Sequence, residues 1–420
     1  MKLLVYGINF APELTGIGKY TGEMVAWLAA QGHEVRVVTA PPYYPDWAVR
    51  PGYSASRYAT ETWHGATVIR TPLWVPRKVT GARRLLHLAS FALTSIPALL
   101  AQWHWKPDVV WVTEPPLFCS PAALAFARLR SAKAWLHIQD YEVDAAFELG
   151  LLKGARLRSL VAAIERGLMR RFDRISTISL RMMERASTKG TEDARLVSLP
   201  NWADVSAIQP LHTDSPYRAE LGIASDAVVA LYSGNMGAKQ GLELLAESAL
   251  MLRDQPKLEF VFCGNGAGRA DLMKRCEGLA NVRFMDLQPV DRLGDLLGLA
   301  DIHLLPQRAD AADLVMPSKL TGMLSSGRPV VAGARPETEL GKVTAQCGIA
   351  VPPDDAKAFA NAVMTLASQP DLRRDLGARA RSYAEERFDR NAVLAQFERD
   401  LESCITRVEP QAQRSQASSS

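Results

Sequence analysis

The chain lacks the paired-cysteine spacings of a disulfide framework or a zinc site. Its five cysteines, Cys119, Cys263, Cys276, Cys347 and Cys404, are odd in number and share no Cys-x-x-Cys, so a reducing compartment is expected. There is no Asp-x-Asp, the carboxylate pair through which many enzymes steady a diphosphate on a divalent ion, so no metal is expected. No charged leader precedes the apolar strand Lys2 to Tyr6, and a cytoplasmic protein is expected. Gly16, Gly18 and Gly22 miss the Gly-x-Gly-x-x-Gly spacing, and the second strand ends Val38-Thr39-Ala40-Pro41 without an acid for a ribose. A nicotinamide cofactor is therefore disfavoured, and no cofactor is expected. Net charge is +4 with both signs interspersed, which excludes a strongly basic nucleic-acid binder.

What is present is a doubled rhythm. Apolar runs at Leu3–Gly7, Val35–Thr39, Thr67–Thr71, Val109–Thr113, Trp135–Gln139, Ile175–Ile178 and Leu196–Leu199 alternate with helical stretches such as Ile17–Ala30. A second series runs through Val228–Ser233, Leu258–Cys263, Val282–Phe284, Ile302–Leu305, Pro329–Ala332 and Gly348–Val351. Alternation of this kind makes parallel, doubly wound sheets. The expected fold is α/β, with two Rossmann-like domains whose parallel sheets face a central cleft. Residues 1–204 form the first, residues 205–408 the second with a C-terminal helix that can cross back, and 409–420 a disordered Ser/Gln-rich tail. Leu372 to Leu401 reads as one long helical pattern.

The residues that could carry chemistry lie where strands run into helices. Pro317-Ser318-Lys319 puts a hydroxyl and a fixed cation at a helix start, where exposed N–H groups favour an anion; ordinary capping is the simpler alternative. Ser233-Gly234-Asn235, with Lys239 beyond, and Gly264-Asn265-Gly266 form comparable junctions, and Lys239 and Lys319 could converge on a diphosphate without metal. In the first half, Thr15-Gly16-Ile17-Gly18 opens a helix with glycines that let a ligand approach the backbone. His137, Gln139, Asp140, Glu142 and Asp144 cluster at a strand end, more polar groups than capping requires, and Asp310 and Asp313 offer acids from the other half. Leu85–Ala101 is uncharged apart from His87, follows Arg83 and Arg84, and is shorter than the roughly 20 residues that span a bilayer. Residues 83–106 read as a membrane-surface helix or as packing against the first sheet.

Together, Thr15-Gly16-Ile17-Gly18, Pro200-Asn201-Trp202, Ser233-Gly234-Asn235 with Lys239, and Pro317-Ser318-Lys319 with Gly327-Arg328-Pro329-Val330 resemble the retaining family-4 glycosyltransferases of the GT-B fold. Leu4–Asn9, Tyr20–Met24, Ala40–Pro45 and His137–Asp144 resemble the group that serves colanic acid biosynthesis and is associated with fucose. The resemblance implies a nucleotide-sugar donor, GDP-fucose, in the second domain. It implies an undecaprenyl-diphosphate-linked saccharide acceptor at the first, on the cytoplasmic face of the inner membrane, and transfer with retention. Lys239 matches the family's diphosphate lysine, while Asn235 stands where an arginine is usual. Leu314 and Gly322 replace the family's two glutamates, which makes Asp313 the candidate for the sugar contact and Lys319 for an added phosphate contact. The family's His-Asp falls on Gln139-Asp140, leaving His137 two residues early on the same face of the strand. Asp140, His137 and Asp313 are thus the catalytic candidates, and Ser233, Gly234, Asn235, Lys239, Gly264, Ser318 and Lys319 the donor-binding ones. Thr15, Gly16 and Gly18 are assigned to a phosphate or acceptor loop. Other readings are transfer from a UDP- or GDP-sugar in another surface polysaccharide, a two-domain binder without catalysis, or a nicotinamide-dependent sugar-modifying enzyme, the last opposed by the glycine spacing.

Overall fold

The computed structural model describes residues 1–14, 16–78, 80–148, 154–237, 240–308 and 317–406. The chain divides into two compact units, one formed by Met1–Thr177, Arg185–Val197 and Leu394–Ser420, the other by Ile178–Glu184 and Ser198–Val393.

The first unit follows the order β1 (Lys2–Tyr6), α1 (Gly16–Ala30), β2 (Glu34–Thr39), β3 (Ala59–Trp63), β4 (Ala66–Arg70), α2 (Gly81–Leu100), β5 (Val109–Glu114), α3 (Ser120–Arg130), β6 (Lys133–Ile138), α4 (Glu142–Glu148), α5 (Ala155–Met169), β7 (Arg174–Thr177), α6 (Leu180–Thr188), whose residues up to Glu184 belong to the second unit, and β8 (Leu196–Ser198). Its sheet runs β3-β4-β2-β1-β5-β6-β7-β8. Strands such as Val109–Glu114 are buried at every position, as a sheet covered on both faces requires. Sequence periodicity misses β3, an exposed edge strand of Thr60, Glu61 and Thr62 antiparallel to β4, because neither of its faces is apolar. Trp111 and Trp135 anchor the core, and Phe397 packs edge-on against Trp135 at 5.4 Å.

The second unit follows α7 (Pro216–Leu221), β9 (Val228–Ser233), α8 (Leu242–Met251), β10 (Leu258–Cys263), α9 (Arg269–Arg275), β11 (Val282–Met285), α10 (Leu293–Leu299), β12 (Ile302–Leu305), α11 (Lys319–Ser325), β13 (Val330–Gly333), α12 (Glu339–Cys347), β14 (Gly348–Val351), α13 (Ala356–Ser368), α14 (Pro370–Arg387) and α15 (Arg390–Ile405). The sheet order is β11-β10-β9-β12-β13-β14, all parallel in the recorded pairs. Phe260, Phe262, Leu245 and Phe359 fill one side of its core.

The long helical pattern at the C-terminus is two helices. Ala203 breaks it: its N–H donates to Phe388 O at 2.8 Å, Arg390 N donates to Ala203 O at 3.1 Å, and Asp389 caps the next helix by accepting from Ala392 N at 2.8 Å. From Leu394 onward α15 belongs to the first unit.

Both sheets reverse direction at one point. Strands are added outward from β1 on one side and from β5 on the other in the first unit, and likewise around β9 and β12 in the second. Such reversals open a crevice at the carboxyl ends of the two central strands, where doubly wound folds bind ligands.

Candidate functional site

At the second unit's reversal, β9 runs out into Ser233-Gly234-Asn235-Met236-Gly237 and β10 into Gly264-Asn265-Gly266-Ala267-Gly268. The two loops interlock: Gly234 N donates to Cys263 O at 3.0 Å, Met236 N to Asn265 O at 2.9 Å and Gly268 N to Met236 O at 2.8 Å. A Cβ on Gly264, whose φ is +140°, would lie 1.9 Å from Gly234 O. Loop-on-loop packing therefore accounts for that glycine, expected as a donor contact.

Lys319, the first residue of α11, crosses to the end of β9. Its Nζ lies 4.3 Å from the centre of the Tyr232 ring and donates to Tyr232 Oη and Gln240 Oε1, each at 3.2 Å. Gly234 leaves room beside it, since a Cβ there would come to 3.7 Å from Nζ. Among the described residues no carboxylate pairs with this ammonium, and burial pulls its pKa down to about 8. A half-buried cation without a counter-charge is costly to hold, and such perturbed groups concentrate at functional sites. Ser318 is the N-cap of α11, yet its hydroxyl makes no capping bond and stays exposed, so capping does not use it. Lys239 and Asp313, with Asp310, lie outside the described residues.

The first unit's crevice is of a different nature. Glu13 is buried after β1, its Oε1 accepting from Tyr43 N at 3.1 Å and Tyr44 N at 3.0 Å, its Oε2 from Asn9 Nδ2 at 3.0 Å. Burial raises its pKa against the pull of those bonds. A Cβ on Gly18 would meet Glu13 Oε2 at 2.5 Å, so the chain's own carboxylate, and not a ligand, occupies the space that this glycine frees. Gly16, with φ +60°, opens α1, and Thr15 lies outside the described residues.

The polar run after β6 separates into distinct roles. His137, expected as a catalytic group, is a buried core residue. Its Nδ1 bonds Ser176 Oγ at 2.8 Å, its Nε2 meets Gln139 Nε2 at 2.9 Å, and its ring stacks on Trp111 with centroids 5.2 Å apart. Burial lowers its pKa to about 3, which keeps it neutral with both nitrogens engaged. Glu142 accepts from Leu117 N at 2.8 Å, and Asp144 pairs with Arg185 and Lys189, each at 2.9 Å. Asp140 alone of these acids has no hydrogen-bond or ion-pair partner among the described residues. Part of its surface is exposed, but protein crowds its carboxyl, and desolvation pushes it up to about 6 against the pull of Arg84.

Taken by itself, the second unit's cation, with no carboxylate partner among the described residues, suits an anionic group. The glycosyl transferase 4-like domain matches residues 15–202, and the glycosyl transferases group 1 domain matches residues 227–369. Over 411 residues, 96% of this chain and 100% of its counterpart, the sequence is 45% identical to a protein of Escherichia coli (strain K12) named as a colanic acid biosynthesis glycosyl transferase, WcaI. The chain belongs to the glycosyltransferases. This glycosyltransferase also shares 27% identity over 215 residues, 47% of its length and 49% of the relative's, with a D-inositol 3-phosphate glycosyltransferase of Kineococcus radiotolerans. Its fold, GT-B, is that of sucrose-phosphate synthase from Thermosynechococcus elongatus, with a TM-score of 0.72 at 17% identity over 96% of this chain and 98% of the other. Anabaena Alr3699/HepE in complex with UDP shares it too, with a TM-score of 0.70 at 14% identity over 96% and 100%.

Three groups of the glycosyltransferase escape sequence reasoning. Tyr232 and Gln240 hold Lys319, and Gln307, beyond β12, has a buried Oε1 without a partner among the described residues. An aromatic at a strand end reads as core, so only the arrival of a lysine 87 residues later reveals the ring's second use.

Proposed function

We propose that this glycosyltransferase moves fucose from GDP-fucose, with retention and without a metal ion, onto an undecaprenyl-diphosphate-linked saccharide in the synthesis of a colanic acid-like exopolysaccharide. The pathway rests on the 45% identity with WcaI along the whole of that protein, and the donor and acceptor on the family resemblance of the sequence motifs. The observation that carries the chemistry is Lys319, a cation without a counter-charge among the described residues at the reversal of the second sheet. In this reading Lys319, Lys239, Ser318 and the N–H group of Asn235 face the donor diphosphate, and Asp313 faces the sugar. Asp140 orients the acceptor hydroxyl, while His137 fixes the strand end through Gln139. As the acceptor oxygen bonds the anomeric carbon, the bond from that carbon to the β-phosphate oxygen breaks. The hydroxyl proton passes to the departing phosphate on the same face. Lys319 meets the charge that grows there, which replaces the metal of other diphosphate-releasing sites.

Membrane contact through α2 is part of the proposal. Leu86, Leu93 and Leu100 are 61%, 68% and 51% exposed along one side of that helix, and Arg77, Lys78 and Arg83 are exposed near its start. An apolar stripe edged by cations suits the surface of an anionic bilayer. No helix among the described residues is long and apolar enough to cross a membrane.

The test is a panel of GDP- and UDP-sugars incubated with an undecaprenyl-linked acceptor extract in the presence of a chelator. GDP-fucose should release GDP only when acceptor is present, and the product should keep the anomeric configuration of the donor. Turnover of a UDP-sugar in its place would replace the donor assignment, and loss of transfer to the chelator would overturn the metal-free mechanism. Flotation with anionic vesicles tests α2, where Leu93→Glu should abolish recovery.

A further inference from the structure

We propose that Tyr232 and Gln240 are positioning residues for Lys319: together they hold its ammonium at the carboxyl edge between β9 and β12, ready for a diphosphate and released from them when one binds. The inference rests on the reading of Lys319 as a diphosphate contact and extends it to how that lysine is kept in place and charged.

The geometry is specific. Tyr232 is fully buried, and its hydroxyl donates to Asn235 O at 2.7 Å, which leaves an oxygen lone pair for the ammonium 3.2 Å away. Burial pushes the phenol's pKa upward, so the hydroxyl keeps the proton that Asn235 needs. The ring offers Lys319 its face at 4.3 Å, and Gln240, one residue before the Gly241 that caps α8, supplies the second acceptor at 3.2 Å. Two strand-to-helix junctions, after β9 and after β12, are thereby joined through a single cation. Neutral acceptors and an aromatic face stabilise a charge without neutralising it, and an ammonium so held stays available to an anion. A carboxylate in the same place would occupy it. The neighbouring Gly234 is bare of side chain, which keeps the approach to Nζ open.

Charge state follows from this arrangement. With burial holding the free lysine near 8, an incoming diphosphate favours the protonated form, so binding above that pH takes up a proton and weakens as pH rises. Removing either acceptor destabilises the ammonium and moves this fall to lower pH. A carboxylate at position 240 moves it to higher pH.

The experiment is calorimetric titration of the full chain with GDP and with UDP, using whichever binds more tightly, between pH 7 and pH 9.5. Wild type, Tyr232→Phe, Gln240→Leu, Gln240→Glu and Lys319→Met are compared. Affinity of the wild type should fall up to tenfold per pH unit above about 8. The fall should begin lower in Tyr232→Phe and Gln240→Leu, higher in Gln240→Glu, and vanish in Lys319→Met, whose affinity should already be at least tenfold weaker at pH 7. Because Tyr232→Phe also removes the bond to Asn235, Gln240→Leu serves as the variant that leaves that loop intact. If Lys319→Met binds as well as wild type, or neither nucleotide binds at all, the diphosphate role of Lys319 is overturned. If Lys319→Met binds weakly but the Tyr232 and Gln240 variants keep the wild-type pH midpoint, the positioning role is overturned and the diphosphate role stands.

Discussion

The two units share the strand order of a six-stranded parallel core, to which the first adds β3 and β8, and they differ in charge. Each sheet reverses between its first strand and its fourth parallel one, giving each unit a crevice in the same place. Over the second sheet the crevice holds an ammonium, Lys319, bonded to neutral acceptors and without a carboxylate partner among the described residues. Around the first lie carboxyls: Glu13 after β1, Glu114 at the end of β5 and Asp140 after β6. Burial raises the pKa of all three, as it does those of Glu142 and Glu165, whereas the lowered carboxyls Asp204 and Asp226 belong to the second unit. Backbone topology thus supplies a crevice twice, and a few side chains give one a cation and the other carboxyls.

The sharpest way to break this contrast is to remove the cation. Lys319→Ala should lower kcat at saturating donor by about 10²–10³-fold, or roughly 3–4 kcal/mol, the usual consequence of deleting a group that meets charge in the transition state. An unchanged kcat would mean that the second crevice owes nothing to its charge. On the acceptor side Asp140→Asn should cost less, on the order of 10- to 100-fold, since orientation and not charge neutralisation is lost. Its pH dependence carries more information than its size. Wild-type rate should fall below about pH 6 as Asp140 takes a proton, and the asparagine variant should lack that limb. Arg84→Met should move the limb to higher pH, because Arg84 pulls this carboxyl down.

Legibility in the sequence followed the range of the interactions. The doubled βαβ rhythm needs only neighbouring residues, and it appears in β1–β2 and β9–β10 nearly residue for residue. Strand alternation put His137 and Gln139 on one side, where they meet at 2.9 Å. What a local pattern could not reveal was which acid of the run from Asp140 to Asp144 stays unpaired. Glu142 is taken by Leu117, and Asp144 by Arg185 and Lys189, partners that lie 25, 41 and 45 residues away along the chain. The break between α14 and α15 was hidden for the same reason, since Ala203 causes it from far upstream. Nor does the sequence show whether His137, at a strand end, faces solvent or stacks on Trp111, as it does.

A third probe acts on stability and separates the units by pH. Glu114 is wholly buried with Oε2 unpartnered, and its pKa is raised well above the usual value by burial and by the neighbouring Glu165 and Glu142. A raised carboxyl favours the folded state below its unfolded pKa and loses that contribution as pH climbs through the folded value. Glu114→Gln, which keeps the shape and removes the titration, should therefore raise the melting temperature at pH 8 and do little at pH 5. Equal gains at both pH values would mean that Glu114 already carries its charge comfortably, and the acidic character of the first unit would not be a stored cost.

The smallest effect expected sets the two surfaces against each other. Arg83 is exposed at the start of α2, beside the stripe of Leu86, Leu93 and Leu100, while Arg253 is exposed just after α8 in the second unit, where the exposed apolar residues Leu250 and Met251 sit together at the helix end and do not run along it. If the first unit is the one that meets the bilayer, Arg83→Ser should weaken flotation on anionic vesicles about fivefold, for roughly 1 kcal/mol, and Arg253→Ser should leave it unchanged. Raising the salt should erase the difference, because an attraction of surface charges fades within a Debye length of about 8 Å at physiological ionic strength. Equal losses from both variants would indicate binding through diffuse positive charge, in line with the net +4 of the whole chain, and would deprive α2 of any special part in it.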